Sequence, residues 1–210
     1  MPMEREIVMN KKLVNQMGSS MIEMLGVLSV AGMLGYGVLK IIGTVHNLFI
    51  QNMIVSEAHD LQKKISERYS FEGVYDTTLF SGRTCEGEDE VAEYICQQKL
   101  APTQMCSNKK LRHRGGGDVK ICQSEDDNDK YVMTFYGLPK TACVSLVQSD
   151  WYTRKKSYIY SMVVNGENGT TIYSNYIPGN HGDNVFPVSA AKAMAICNNE
   201  DDNTVQMTFF

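Results

Sequence analysis

The stretch Gly18-Ser19-Ser20-Met21-Ile22-Glu23, followed by apolar sequence from Met24 to Leu39, decides the fold of this chain. It places one carboxylate at the start of a segment that is apolar enough to form a membrane helix. Burying an ionised carboxylate in hydrocarbon is costly, so an acidic residue in this position is a candidate functional residue. Glu23 is therefore the first site residue that the sequence predicts.

The segment from Met24 to Leu39 contains no charged residue, and mostly apolar sequence continues to Ile50. The whole stretch is long enough for a membrane span, which needs about 20 residues. Its glycines are poor helix formers in water, but in a membrane or a helix bundle they let backbones approach closely. They are Gly26, Gly32, Gly35, Gly37 and Gly43. A plain transmembrane anchor explains these glycines as well as a bundle of helices from several subunits does. Glu23 alone separates these two interpretations.

Beyond Ile50 the helical pattern becomes amphipathic. Apolar residues recur at mostly three- and four-residue steps, at Ile50, Met53, Ile54, Ala58, Leu61, Ile65 and Tyr69. The polar residues that fill the other face are Glu57, Asp60, Lys63, Lys64 and Glu67. This pattern predicts one helix from about Met21 to Tyr69, apolar all round in its first half and buried on one side in its second. His46 and His59 are predicted to lie on the helix surface rather than to bind a metal.

Residues 71–210 are predicted to form a head, long enough to bury one core. The net charge of −4 argues against a nucleic-acid partner. All six cysteines lie in the head, at Cys85, Cys96, Cys106, Cys122, Cys143 and Cys197. An even number of cysteines on one side of a membrane segment predicts disulfides in an oxidising compartment. Zinc sites favour close pairs such as C-x-x-C, which are absent here, so no metal and no cofactor is predicted.

The head alternates helical and strand patterns. The predicted helices are Asp89–Leu100, Leu138–Trp151 and Ser189–Cys197, and the predicted strands are Asp118–Cys122, Lys130–Tyr136, Ser157–Val164, Thr170–Tyr173 and Thr204–Phe210. The polar segments 165–169 and 198–203 are predicted turns, the first closing a hairpin. The rest of Phe71–Asn108 is mostly polar and predicted to be loop-like.

Three head segments could suggest a binding or catalytic site, and each has a simpler interpretation. Gly115-Gly116-Gly117 lacks the strand, helix and Lys-Ser/Thr of a phosphate-binding loop and is predicted to be a flexible loop. The basic run beside it is predicted to be solvated surface, with a contact to an acidic neighbour or a cell surface as the alternative; it comprises Lys109, Lys110, Arg112, His113 and Arg114. The acidic loop 125–129 lacks the spacing of an EF-hand.

An enzyme is not predicted, and no catalytic residue is assigned. Serine, histidine and aspartate residues are present, but His113 and His181 lie in glycine-rich loops. A nucleophile motif such as G-x-S-x-G does not accompany them.

The segment Met1–Gly18 carries a charge of about +1 and is excluded from the fold prediction as a leader. An ordinary secretory signal is the alternative, with Met21–Val30 as its apolar core and cleavage near Ser29-Val30-Ala31. Glu23 lies inside that core and the apolar character continues past Ala31, so the sequence favours a leader that ends at Gly18.

The motif from Gly18 to Glu23, with Lys11 and Lys12 upstream, resembles the class III signal peptide of type IV prepilins. The helix start Leu138–Cys143 and the closing segments Ala195–Cys197 and Thr204–Phe209 are similar to the C-terminal domain of type IVb pilins. That subclass includes toxin-coregulated pilin and the thin-pilus pilins of conjugative plasmids. The resemblance covers most of the chain except about residues 71–117.

This resemblance implies an α+β pilin fold, in which a long N-terminal helix packs on an antiparallel sheet. It implies a leader at residues 1–18, a transmembrane or filament-core half-helix at 19–50, an amphipathic half-helix at 51–70 and a disulfide-bonded head at 71–210. A prepilin peptidase would cut between Gly18 and Ser19, the new N-terminus could be methylated, and Glu23 would serve assembly. The implied partners are the inner membrane, a pilus assembly platform and other copies of the chain in an extracellular filament.

The resemblance also implies a disulfide between Cys143 and Cys197. Three pairings then remain for the other four cysteines. Proximity in the sequence favours Cys85–Cys96 together with Cys106–Cys122.

Two other functions share parts of this pattern. A pseudopilin of a type II secretion system has the same leader and helix, and a membrane-anchored extracytoplasmic binding protein would use the helix only as an anchor. The sequence leaves open whether a pilus of this chain would serve adhesion, conjugation, DNA uptake or motility.

Overall fold

A computed structural model describes the backbone of residues 3–70, 90–124, 130–153, 156–157, 159–165, 169–173 and 185–210. Side chains are described in the same ranges except at residues 3–20, 69–70, 90, 152–153 and 156–157. The chain divides into two compact units, Met1–Leu48 and Phe49–Phe210.

Helix α1 spans Met3–Ser70 and so includes the whole predicted helix together with most of the leader. Within the second unit, the predicted apolar stripe is buried at Ile54, Ala58, Leu61 and Ile65. These side chains join one hydrophobic core with the sheet residues Phe135, Val205 and Met207, among others. The periodicity of the sequence therefore identified the face of α1 that packs on the head.

The remaining helices are short. In the part of the chain that the structure describes they are α2 (Glu90–Gln97), α3 (Lys140–Gln148) and α4 (Ala190–Ile196), together with a 3₁₀ turn at Thr103–Met105. Helix α3 follows Pro139, a residue that suits a helix start because it has no N–H to leave unpaired. Helix α4 is capped by Ser189, whose Oγ accepts a hydrogen bond from the N–H of Lys192 at 3.3 Å.

The described strands are β1 (Cys106–Ser107), β2 (Lys110–Arg112), β3 (Asp118–Gln123), β4 (Tyr131–Leu138), β5 (Tyr152–Thr153), β6 (Lys156–Ser157), β7 (Ile159–Val164), β8 (Thr170–Tyr173) and β9 (Asn203–Phe209). Seven of them form an antiparallel sheet in the order β1-β2-β3-β4-β9-β7-β8, and β5 pairs with β6. Strand β9 is the last strand in the sequence yet lies inside the sheet, between β4 and β7. The predicted α+β class, with a long N-terminal helix and an antiparallel sheet, is confirmed.

Strand register places the core residues of the sheet on one face. Met207 of β9 lies opposite Met133 of β4 on one side and Met162 of β7 on the other. All three are fully buried. Because side chains alternate along a strand, this register directs every second residue of β9 into the core.

Two strands in the segment predicted to be a loop or solvated surface were missed. Strands β1 and β2 pair with each other, and β2 pairs with β3. Both are too short to show the alternation by which strands are recognised in a sequence, since β1 has two residues and β2 has three. Leu111 is the one fully buried residue of β2.

Candidate functional site

In the first unit of the chain, residues 21–48 present an almost wholly exposed apolar surface. From Met21 to Leu48, the large apolar side chains are between 52% and 76% exposed. Among the described residues, Met21–Arg68 is the one helix whose length and composition would allow it to cross a membrane. An apolar surface of this extent is not left in water by a soluble monomer, so it must be covered by lipid or by other protein.

Glu23 lies exposed on this apolar segment, near its start. A Cβ atom added at any of the five glycines from Gly26 to Gly43 would meet nothing within 4 Å. The fold of the single subunit therefore does not require glycine at these positions, and contacts with neighbouring helices provide a reason for them. Gly18 and Ser19 lie within α1, and their side chains fall outside those described.

In the second unit, α1 contacts the turn between β2 and β3, which comprises residues 113–117 of the head. The imidazole of His113 is 3% exposed, and its Nε2 lies 2.8 Å from the carbonyl oxygen of Tyr136. Its Nδ1 accepts a hydrogen bond of 3.0 Å from the N–H of Gly115. Burial lowers the pKa of His113, while the bond to Tyr136 and the charge of Asp118 act in the opposite direction.

The same turn contacts α1 through Arg114. Its N–H donates to Oε2 of Glu57 at 3.1 Å, and its Nε lies 3.4 Å from Oε1 of the same carboxylate. Glu57 is only 4% exposed, so the prediction that it lies on the solvated face of the helix is wrong. Burial raises the pKa of Glu57, and the hydrogen bond and charge of Arg114 oppose that effect.

These contacts also correct the interpretation of the basic run as solvated surface. His113 is buried and Arg114 pairs with a buried carboxylate of α1. Arg112 pairs with Asp118 at 3.0 Å at the surface, and Lys109 and Lys110 are exposed as predicted.

The glycines of this turn are constrained rather than flexible. A Cβ at Gly117 would lie 1.9 Å from the carbonyl oxygen of Tyr136, and one at Gly115 would lie 2.8 Å from Cε1 of His113. Gly116 has a φ of +89°, which side chains disfavour. The glycines therefore allow β2 and β3 to turn tightly against β4 and α1.

A second contact fastens α1 to the segment after α3. His59 stacks on Trp151, and its Nε2 lies 2.5 Å from Oγ of Ser149. Gln51, two turns earlier on the helix, donates from its side chain to Oγ of Ser145 on α3. His59 is thus a helix–head contact and not only a surface residue. Among the described residues, no group of three His, Cys, Asp or Glu side chains could hold a metal ion.

The family model described as PilS N terminal matches residues 77–210, more than half of the chain. This chain belongs to the PilS family of type IV pilins. Pilins are structural subunits of pili and not enzymes, which agrees with the prediction from the sequence.

Two solved structures are similar to this pilin. TcpA, a type IV pilin from Vibrio cholerae El Tor biotype, has 14% sequence identity and a TM-score of 0.45, with 77% of this chain and 99% of that chain covered. A type IVb pilin from Salmonella typhi has 14% identity and a TM-score of 0.47, covering 74% and 97% respectively. No match was found among curated protein sequences.

The disulfides of the pilin head agree with the sequence prediction in one case and correct it in another. Cys143 of α3 is joined to Cys197 after α4, as the resemblance implied. Cys96 is joined to Cys106, so the predicted pairs Cys85–Cys96 and Cys106–Cys122 are both wrong. The Cys96–Cys106 bond closes the connection from α2 to β1, which brings the two Cα atoms within 5.8 Å. Cys122 is also disulfide-bonded, and Cys85 lies outside the described residues.

An asparagine cluster fixes the turn before the last strand of the pilin. Asn203 is fully buried, and its Nδ2 donates to the carbonyl oxygens of Leu138 and Asn199 at 3.1 and 2.5 Å. Its Oδ1 accepts from Nδ2 of Asn165 at 3.2 Å. Asn165, in turn, accepts a hydrogen bond from the N–H of Thr204 at 3.1 Å. The two segments predicted to be turns, 165–169 and 198–203, therefore meet through their asparagines.

Proposed function

We propose that this pilin is the polymerising subunit of a type IV pilus, processed by a prepilin peptidase and assembled through its N-terminal helix. The observation that carries the proposal is the exposed apolar segment Met21–Leu48 with Glu23 near its start. Membership of the pilin family supports self-association as the way in which that segment is covered. Before assembly, the same segment would hold the subunit in the inner membrane.

Processing would separate the leader at residues 1–18 from the subunit. The small Gly18 would let the chain approach the peptidase closely, and cleavage would place a new ammonium group on Ser19. This ammonium, which could be methylated, would lie four residues from Glu23. The mature chain would therefore begin with one positive and one negative charge beside an otherwise apolar helix.

Those two charges give Glu23 its proposed role in assembly. When helices of neighbouring subunits surround it, its carboxylate loses its hydration, and an unpaired buried charge is costly. The Ser19 ammonium of an adjacent subunit would be its partner. Because this pairing is satisfied at one axial offset between subunits, it would also set the register of each incoming copy.

The head would face the outside of the filament in an oxidising environment. Its disulfides Cys96–Cys106 and Cys143–Cys197 fit that location. The assembly platform and the peptidase would act on the precursor at the inner membrane, and the mature chain would be extracellular. Adhesion, conjugation, DNA uptake and motility are all compatible with this assignment.

A deletion strain complemented with variants of this chain tests the proposal. Wild type should restore pili in electron micrographs, whereas Glu23→Ala should be present in the membrane fraction at wild-type amounts and give no pili. Glu67→Ala is the matched control: this glutamate lies on the same helix, is exposed and contacts only Lys63 at 3.8 Å among the pairs described. Normal piliation by Glu23→Ala would refute the assembly role, and wild-type pili in the uncomplemented deletion strain would refute the assignment as the polymerising subunit.

A further inference from the structure

The turn 113–117 contains a histidine, His113, whose hydrogen bonds require a neutral imidazole ring. The Nδ1 of His113 accepts from the N–H of Gly115 at 3.0 Å, which leaves Nε2 to donate to the carbonyl oxygen of Tyr136 at 2.8 Å. Only a neutral histidine with its proton on Nε2 can make both bonds, because the imidazolium has no acceptor. At 3% exposure, the ring has almost no access to water as a substitute partner.

The same five residues carry the contact with helix α1. The turn is closed by hydrogen bonds from the N–H of His113 to Gly117 O and from the N–H of Gly116 to His113 O, at 3.0 and 2.8 Å. Between them, Arg114 donates its own N–H to Oε2 of Glu57 at 3.1 Å. A rotation of the peptide groups around Gly115 would therefore also move the N–H that holds Glu57.

We propose that residues 113–117 form an acid-sensitive latch between the head and helix α1. A proton added to Nδ1 of His113 places a second donor 3.0 Å from the N–H of Gly115, so that the hydrogen bond becomes a repulsive contact. The turn then opens around Gly115 and Gly116, and Arg114 leaves Glu57. This latch lies wholly in the second unit and does not depend on polymerisation.

The charged groups around the latch determine how it responds to pH. Glu57 faces it from α1, Arg112 and Arg114 flank the histidine, and Asp118 follows on β3. From β3, Lys120 also lies over the ring of Tyr136, at 5.8 Å. Asp118 favours the imidazolium, but it is paired with Arg112, and burial is the larger influence and lowers the pKa of His113. The closed latch therefore resists protonation.

An opened turn exposes His113 to water, where its pKa returns to about 6.5. Between pH 6.5 and the lower pKa of the closed latch, opening takes up one proton. The opening constant should then increase about tenfold for each unit of pH decrease. Burial raises the pKa of Glu57, whereas the hydrogen bonds and charge of Arg114 lower it, so protonation of this carboxylate also weakens its contact with Arg114.

Nuclear magnetic resonance of the full-length, ¹⁵N-labelled chain in detergent micelles tests the latch. At pH 7.5 the His113 ring should be neutral with its proton on Nε2. As the pH falls, the amide signals of Arg114 and Gly115 should shift with the midpoint at which His113 titrates, below 6.5, and their hydrogen-exchange protection should fall by about tenfold per pH unit in that range.

Two variants separate the latch from a general effect of acid. His59→Gln removes a partly buried histidine of the same unit that does not contact the turn and should leave the Arg114 and Gly115 transitions unchanged. His113→Gln should abolish them; if this variant does not fold, the ring tautomer and midpoint of His113 in the wild-type chain still decide the question. A His113 ring that carries its proton on Nδ1 at pH 7.5 would overturn the proposal. Amides of Arg114 and Gly115 that do not change with His113, or that change with His59 instead, would also overturn it.

Discussion

The imidazole of His59 stacks on the indole of Trp151, with ring centroids 4.2 Å apart and planes inclined by 24°. Trp151 in turn packs edge-on against Phe209 of β9, at 5.8 Å between centroids. These three rings connect helix α1 to β9, an interior strand of the sheet. Burial lowers the pKa of His59, although Asp150 and Asp60 favour its charged form.

The stability of the head should therefore decrease in mild acid partly through His59. Because the folded-state pKa of His59 lies below the ordinary value of 6.5, the contribution of its neutral ring to the stability of the head is complete above pH 6.5. It is lost as the pH falls from 6.5 to the folded-state pKa, because the unfolded chain binds the proton more readily. Each unit by which the pKa is lowered corresponds to about 1.4 kcal/mol.

Urea unfolding followed by the fluorescence of Trp151, the single tryptophan of the chain, measures this effect. The stability advantage of wild type over His59→Gln should narrow between pH 7.5 and pH 5. His46→Gln changes an exposed histidine of the same helix and is the control. A difference between wild type and His59→Gln that does not change with pH would contradict the prediction.

The two described disulfides should contribute unequally to stability. Cys143–Cys197 closes a separation of 54 residues and Cys96–Cys106 one of 10. In the chain-entropy model these loops correspond to about 4 and about 3 kcal/mol of stabilisation. Replacing Cys143 and Cys197 together by serine should lower the melting temperature more than the double replacement of Cys96 and Cys106. The reverse order, measured by thermal unfolding under non-reducing conditions, would contradict the entropic account.

Gly117→Ala should be one of the most destabilising single substitutions in the head. Its Cβ would lie 1.9 Å from the carbonyl oxygen of Tyr136 and 2.4 Å from Nε2 of His113, so strand β4 would have to move. We expect a loss of about 4 kcal/mol or more. Gly116→Ala is the matched control: its surroundings are open and only its φ of +89° is unfavourable, at about 1–2 kcal/mol. Thermal melts that give equal losses for both variants would show that the close approach of β4 is not what requires glycine.

Elements with a clear period were predictable from the sequence. The three- and four-residue spacing of Ile54, Ala58, Leu61 and Ile65 identified the buried face of α1, and all four are fully buried. The hairpin of β7 and β8 and the final strand β9 were recognised in the same way, within about two residues of their ends. The spacing of apolar residues within one helix or strand is visible in the local sequence, so these elements can be predicted without knowing the tertiary contacts.

The helix–head contacts could not be predicted because each joins residues that are distant in the sequence. The sequence predicts that Glu57 and Arg114 are solvated charges. Their contact becomes apparent only in the folded structure, where the turn 113–117 lies beside α1. In the sequence, Gly117 resembles an ordinary loop glycine. In the structure, the carbonyl oxygen of Tyr136 occupies the space that a side chain at this position would need. The pairing of Cys96 with Cys106 likewise depends on how β1 returns to α2, and proximity in the sequence suggested the wrong partners.

The central claim is that this chain is cleaved after Gly18 and polymerised, and mass spectrometry of filaments sheared from cells tests it most directly. The account predicts that the main protein of these filaments is this chain with Ser19 as its first residue, with or without a methyl group. It also predicts that no leader peptide remains. Filaments whose subunit keeps the leader or begins at Gly32, or sheared material that lacks this chain while the cell membranes contain it, would contradict the account.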